Sequence, residues 1–427
     1  MVYSLKLKAI TPILIGGYDT CTKHADLGSE KLRPLSIKGV WRWWARVLVS
    51  TAFYNKNNQF IDIQGADRIL APIFGTARGR ASASKYQIIV EDIDTSRPRP
   101  LPLGKLQSIP RVNLLMSRRR GGGRVSIEDD IDRRISEDEI LPTGSQFSLA
   151  LYKQSQTETY EDEFAACSLV LALTFGGVGK ATSRGFGKLF PSMPPQGPDK
   201  LKTIYEKLQK LRTPPSRLGI GLEEKTKFIE EIFKLCVDTA QPLIEKLPAQ
   251  NVKTYKQPVT ETLADGFYRI TLSKLYDGYN DALKAIGWAT MKQYWKRLPS
   301  ARGKSSFQLN TWILGLPRKR KIRSRNTDSC KQIWTGYLAS KGCRKDSDIR
   351  RRSPIIFVPI ETQDYRSYYV IVLGFKTYDW EYLNLTHRSA YDKEISMTYD
   401  KEISTNEKAI DQAFDEALNF IKEIMWA

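Results

Sequence analysis

Residues 176–188 hold the densest chemistry in the chain: Gly176-Gly177-Val178-Gly179-Lys180-Ala181-Thr182-Ser183-Arg184-Gly185-Phe186-Gly187-Lys188. Glycines let a main chain come close to a ligand. Lys180, Arg184 and Lys188 place cations along the same segment, and Thr182 and Ser183 supply hydroxyl donors. This combination suits a phosphate-bearing ligand. It is not a P-loop, because Ala181 follows Gly179-Lys180 and no glycine precedes at the needed distance, and it is not a dinucleotide fingerprint. Glycine content alone suits a structural turn between a helix and a strand equally well.

A second constellation lies in Pro34-Leu35-Ser36-Ile37-Lys38-Gly39-Val40-Trp41-Arg42-Trp43-Trp44-Ala45-Arg46-Val47-Leu48. Ile37, Trp41, Trp44 and Leu48 recur at helical spacing and share an inward face. Lys38, Arg42 and Arg46 recur every four residues along one side, where like charges repel unless an anion lies against them. The tryptophans read as core and the basic row as an RNA contact, with a solvated basic face as the plainer alternative. Arg118-Arg119-Arg120 beside Gly121-Gly122-Gly123, Arg318-Lys319-Arg320-Lys321 and Arg350-Arg351-Arg352 are charge runs, of which the first two suit basic arms that order on RNA.

The whole composition agrees with a polyanionic partner. Lys plus Arg number 67 and Asp plus Glu 47 in 427 residues, a formal charge of +20. The only histidines are His24 and His387, and the five cysteines (Cys21, Cys167, Cys236, Cys330, Cys343) form no C-x-x-C pair, so neither a metal nor a cofactor is expected. Asp129, Asp130, Asp132 and Glu137-Asp138-Glu139 are interleaved with Arg133 and Arg134, which reads as a salt-bridged surface helix and not a magnesium cage. Reduced thiols in a cytoplasmic protein are expected, with Cys167 and Cys236 as small core residues. The longest nearly apolar run, Ala165 to Phe175, is too short to cross a bilayer, and the N-terminus alternates like a strand, so no membrane partner is expected.

The elements that must position these groups follow from periodicity. Strands are expected at Val2–Ile15, Tyr86–Val90, Gln146–Tyr152 and Phe186–Phe190, with helices from Leu35 to Ala52, Ala66 to Phe74 and Glu158 to Thr174. Helices at 200–212 and 222–247 follow. Then come a helix from Asp277 to Arg297, strands at Leu309–Leu316, Pro354–Ile360 and Tyr368–Phe375, and a closing helix from Ala409 to Ile424. The order points to an α+β chain of two tandem ferredoxin-like domains with helical insertions. The boundaries read 1–195, a helical insertion or linker at 196–250, and 251–427. The stretch from Tyr391 to Ser396 is nearly repeated from Tyr399 to Ser404, with no chemistry assigned to it.

Three segments together resemble the RAMP superfamily of CRISPR proteins. They are Arg33 to Gly39 running into the Trp/Arg-rich helix, Pro142-Thr143-Gly144-Ser145-Gln146-Phe147 before a strand, and the glycine-rich loop from Gly177 to Lys188. The helix, with Ile313 to Arg318 and Arg351-Arg352-Ser353-Pro354, is similar to the first-named RAMP subunit of type III-B Cmr complexes. The resemblance implies RRM-like domains with an RNA-facing sheet and a place beside other Cmr complex subunits. It also implies contact with the crRNA 3′ region and target RNA, without catalysis.

The expected RNA-binding residues are therefore Lys38, Arg42, Arg46, Gly177, Gly179, Lys180, Thr182, Ser183, Arg184, Gly185 and Lys188, with Arg118, Arg119 and Arg120. Affinity set by backbone phosphates should be sequence-tolerant and fall with salt. The alternative is a metal-independent endoribonuclease that cuts CRISPR transcripts, with His24 as general base and Lys23 or Tyr18 assisting. No second histidine lies near His24 in sequence, which weighs against it.

Overall fold

In β1 (Tyr3–Ala9), Tyr3, Leu5, Leu7 and Ala9 are buried while Ser4, Lys6 and Lys8 face outward, the period-two pattern of a half-covered sheet. The computed structural model describes residues 2–14, 32–77, 81–94, 108–110, 140–214, 221–246, 252–305, 308–315, 318–323, 332–340, 352–390 and 397–427. His24, Lys23, Tyr18, Arg118–Arg120, the acidic residues 129–139, Arg350, Arg351 and the first copy of the tyrosine repeat lie outside them.

α1 (Pro34–Asn57) starts at a proline whose fixed φ suits a first helical turn, and it ends at Asn58, a left-handed residue at φ 51°. α2 (Ile63–Phe74) begins earlier than periodicity suggests, because Asp62 Oδ1 accepts the Gly65 N–H at 2.7 Å as its cap. β2 (Tyr86–Asp94), β3 (Gln146–Lys153), α3 (Thr159–Leu171) and β4 (Leu189–Pro191) complete the first half. Its four-stranded antiparallel sheet has the order β2-β3-β1-β4. α1 and α3 pack together, and Trp41 Nε1 donates to Ser168 Oγ at 2.8 Å inside that contact.

α4 (Asp199–Arg212) and α5 (Leu222–Glu245) join the core instead of bridging solvent: Leu201, Ile204, Leu208, Ile229, Ile232 and Phe233 are buried in the same cluster as the α1 tryptophans. Pro242 lies inside α5 and does not end it. The free thiols of Cys167 and Cys236 are buried where α3 meets α5.

The second half is built on β5 (Tyr268–Leu272), β6 (Tyr276–Asp277), β9 (Ile355–Glu361) and β10 (Ser367–Phe375). β10 pairs with β5 and β6 on one side and with β9 on the other. All seven residues of β9 are buried. Ile356, Val358 and Ile360 face the first core, while Ile355 and Phe357 face the second, so both faces are covered and the strand reads as a continuous apolar run. α6 (Gly278–Ala289) and α8 (Glu407–Trp426) cover the second face. A separate sheet, in the order β7-β8-β11-β12, comes from β7 (Arg318–Arg323), β8 (Gln332–Ser340), β11 (Asn384–Ala390) and β12 (Met397–Ile403). β7 carries the Arg318–Lys321 run, and β12 carries most of the second tyrosine repeat.

Two expected elements differ in kind, and the strand expected at Phe186–Phe190 is confined to Leu189–Pro191. Leu309–Leu316 is no strand: Thr311–Leu314 forms a 3₁₀ turn between Asn310 (φ 47°) and Gly315 (φ 99°), and Trp312 meets Trp380 edge-on with ring centres 4.8 Å apart. The helix expected over Asp277–Arg297 breaks after Ala289, where Thr290 Oγ1 donates to the Ile286 carbonyl at 2.8 Å, and resumes as α7 (Lys292–Trp295). Among the described residues no helix is long and apolar enough to cross a membrane.

Candidate nucleic-acid interface

The glycine-rich loop follows a single π-helical turn, Ala172–Gly176, at the end of α3. Its glycines serve chain-to-chain packing first. A Cβ on Gly179 (φ 90°) would lie 2.5 Å from the Leu14 carbonyl oxygen, and one on Gly187 (φ 67°) would lie 1.8 Å from that of Val178. The loop is stitched to residues 10–14 by Lys180 N to Leu14 O at 2.7 Å, Gly187 N to Pro12 O at 2.9 Å and Ile10 N to Lys188 O at 2.9 Å. It then reaches the second half. The Phe357 N–H donates to the Ser183 carbonyl at 3.2 Å, so the loop lies along the outer edge of β9.

The loop cations consequently part company. Lys188 is wholly buried and gives its protons to the carbonyls of Phe175 (2.7 Å) and Gly176 (2.9 Å), so it is corrected from an RNA contact to a buttress under the loop. Burial pushes its amine well below the usual lysine range, and the nearby Arg352 pushes the same way. Arg184 Nη2 donates to the Leu314 carbonyl at 2.6 Å and its Nη1 to Ser353 Oγ at 3.4 Å, which makes it a tie between the halves. Gly177 and Gly185 are buried: Gly185 packs against Ile286 and Pro359, while Gly177 lines the floor of the cleft described below. Gly179 is exposed, and Lys180, Thr182 and Ser183 are half-buried at the surface.

The basic row of α1 finds its anions within the chain. Arg46 makes a two-pronged ion pair with Asp67, 2.8 Å from Nε to Oδ1 and 3.1 Å from Nη2 to Oδ2. Arg42 donates to the carbonyls of Phe74 (3.3 Å) and Gly75. Both are corrected from phosphate contacts to pins holding α2 against α1. Lys38, half-buried, has its amine pushed down by burial and by Arg42. Arg33 and Arg352, which the sequence reading left out of the binding set, are found where the loop meets the start of α1. There a cleft of about 340 Å³ is lined by Arg33, Ser36, Gly179, Lys180, Thr182 and Arg352 among others. The signal for Arg33 was its place before the helix-opening Pro34. That for Arg352 was only the last position of a charge run.

The profile described as the RAMP superfamily matches residues 6–189. That span holds the first sheet, α1 and the glycine-rich loop. Residues 6–189 are thus similar to the RAMP superfamily. The chain is 27% identical over 259 residues to the CRISPR system CMR subunit Cmr1 of Saccharolobus solfataricus, a match that spans 44% of this chain and 54% of that relative. It is 27% identical over 192 residues to the Cmr subunit Cmr1-2 of Pyrococcus furiosus, spanning 43% of this chain and 91% of that one. Its fold is similar to that of a chain in the type III-B Cmr-beta complex bound to cognate target RNA, with TM-score 0.58, 17% identity, and 98% of this chain and 99% of that one covered.

Proposed function

We propose that this chain is a non-catalytic RNA-binding subunit of a type III-B CRISPR Cmr ribonucleoprotein. It is composed of two ferredoxin-like halves that hold the crRNA 3′ region and target RNA by the sugar–phosphate backbone, beside other Cmr subunits in the cytoplasm. The order β2-β3-β1-β4 with helices after β1 and β3 supports the ferredoxin-like reading for the first half. The second half keeps a strand–helix–strand–strand–helix order on a narrower sheet.

The observation that carries the RNA reading is the cleft at the start of α1. Of the described residues lining it, Arg33, Lys180 and Arg352 are cations and none is acidic. It also sits at a helix N-terminus, whose amides and dipole favour an anion. Phosphate contacts of this kind position a strand without reading its sequence, and base pairing between guide and target supplies specificity.

The purified chain should bind single-stranded RNA of unrelated sequences with similar affinity, weakening steeply between 50 and 200 mM salt in a way set by the number of phosphates neutralised. It should also co-purify with short crRNA and Cmr subunits. Salt-independent binding, or no binding at all, would sink this reading. So would metal-free cleavage of CRISPR repeat RNA that His24→Ala abolishes, since that would make the chain a nuclease.

A further inference from the structure

Among the described residues, Arg352 is the one from the second half that enters the cleft shared by the glycine-rich loop and the start of α1. Its guanidinium stacks over the Trp43 ring, 4.3 Å from the ring centre, which fixes its direction. Its Nη2 is sealed from solvent and meets no acceptor among the described residues. A buried cationic donor with nothing to donate to is costly, so such groups point to a ligand that completes them. The same side chain forms part of the wall of a second cleft of about 330 Å³, lined by Glu261, Asp379 and Arg46. That neighbour balances its own charges. The first cleft, by contrast, is lined by Arg33, Lys180 and Arg352 and by no acidic residue among the described residues.

We propose that this cleft is a socket for a single phosphodiester of the bound RNA strand, closed by the Arg352 guanidinium from the second half against Arg33, Ser36 and Lys180 from the first. The proposal rests on the RNA-binding reading above and sharpens it. A phosphate seated there is gripped from both halves, so one linkage of the strand is held far more firmly than its neighbours.

The test uses the full chain and RNAs in which one linkage at a time is a neutral methylphosphonate. For the wild-type chain one position should cost about tenfold in affinity while its neighbours cost little, as expected for losing a charge-assisted contact. Arg352→Met should lose a similar factor, lower the slope of log Kd against log salt by about one, and show no further loss with that modified RNA. Arg352→Lys should restore most of the affinity. A folded Arg352→Met chain with unchanged affinity and slope would overturn the socket. If Arg352→Met fails to fold, the scan on the wild-type chain decides, and a flat profile overturns it. A wild-type chain that binds no RNA would instead sink the functional reading itself.

Discussion

Arg184 Nη2 lies 2.6 Å from the Leu314 carbonyl oxygen, so the central cation of the glycine-rich loop is spent on joining the two halves of the molecule. Lys180, four residues earlier, lines the surface cleft. Two substitutions that look equivalent in sequence should therefore separate cleanly. Arg184→Ala removes a charge-assisted bond at a half-buried site and should lower stability by about 2 kcal/mol while RNA affinity per folded molecule stays within about twofold. Lys180→Ala should leave the melting temperature nearly unchanged and weaken RNA binding, with a shallower salt dependence. Thermal melts alongside titrations at two salt concentrations check both. The reverse assignment would remove Lys180 from the interface.

Gly187 faces a harder limit than any ligand would set. A methyl group there would sit 1.8 Å from the Val178 carbonyl oxygen, at a φ of 67° that side chains resist. Both atoms belong to backbone that residues 10–14 hold in place. Gly187→Ala should thus give insoluble or largely unfolded protein, whereas Gly39→Ala on α1, where nothing lies within 4 Å of the added methyl, should fold normally and gain slightly in helix propensity. Expression and circular dichroism of the pair provide the comparison.

How far the sequence reveals this arrangement depends on the range of the forces involved. Alternation in β1 and the spacing of Ile37, Trp41, Trp44 and Leu48 are local, and they place strand and helix correctly. The 3₁₀ turn between Asn310 and Gly315 and the cap at Asp62 are also local, but each turns on backbone angles or one side-chain bond that periodicity does not report. The fate of the cations is not local at all. Lys38, Arg42 and Arg46 form a regular row, and only the placing of α2 shows that Asp67 and the carbonyls of Phe74 and Gly75 already satisfy two of them. Glycine density in the loop signals close approach by something. That the something is mostly the chain itself depends on residues 10–14 and on β9, more than 160 residues away in sequence for the latter.

Arg46 and Asp67 provide a direct check on that correction. The pair is part-exposed, at 27% and 34%, so its worth is modest, roughly 0.5–1 kcal/mol. Arg46→Ala should cost about that much in stability and leave RNA affinity unchanged. Were Arg46 a phosphate contact, the same substitution would reduce affinity and flatten the salt dependence, and Asp67→Asn would strengthen binding by freeing the guanidinium.

His387 on β11 gives the second half a pH signature. It is buried, with Nε2 3.3 Å from the Lys292 Nζ, and burial first and that ammonium second lower its pKa from 6.5 to about 4. The unfolded chain takes up a proton near pH 6.5 while the folded chain refuses it until about pH 4. Stability from this group is therefore complete above pH 6.5 and drains away as the pH falls towards 4, by about 3 kcal/mol at most. His387→Gln should flatten that stretch of the stability–pH curve, measured by urea unfolding at pH 7.5, 6 and 5. An unchanged slope would show that the imidazole is protonated in the folded chain.

A further tie between the halves is ionic. Glu361 at the end of β9 is 4% exposed and holds Lys8 Nζ of β1 at 2.9 Å and Arg212 Nη2 of α4 at 3.0 Å, while the Tyr368 hydroxyl donates to it at 3.1 Å. Removing its charge leaves the buried Arg212 guanidinium without a counter-ion, which costs about 3–5 kcal/mol in comparable buried pairs. Glu361→Gln should accordingly lower the urea midpoint sharply. Replacing Lys8, Arg212 and Glu361 together with methionine should recover most of the loss, because the penalty comes from the unpaired charge and not from any large intrinsic worth of the bridge. A triple variant as unstable as the single one would mean that the geometry of the network itself holds β9 in place, and that the edge offered to the glycine-rich loop depends on it.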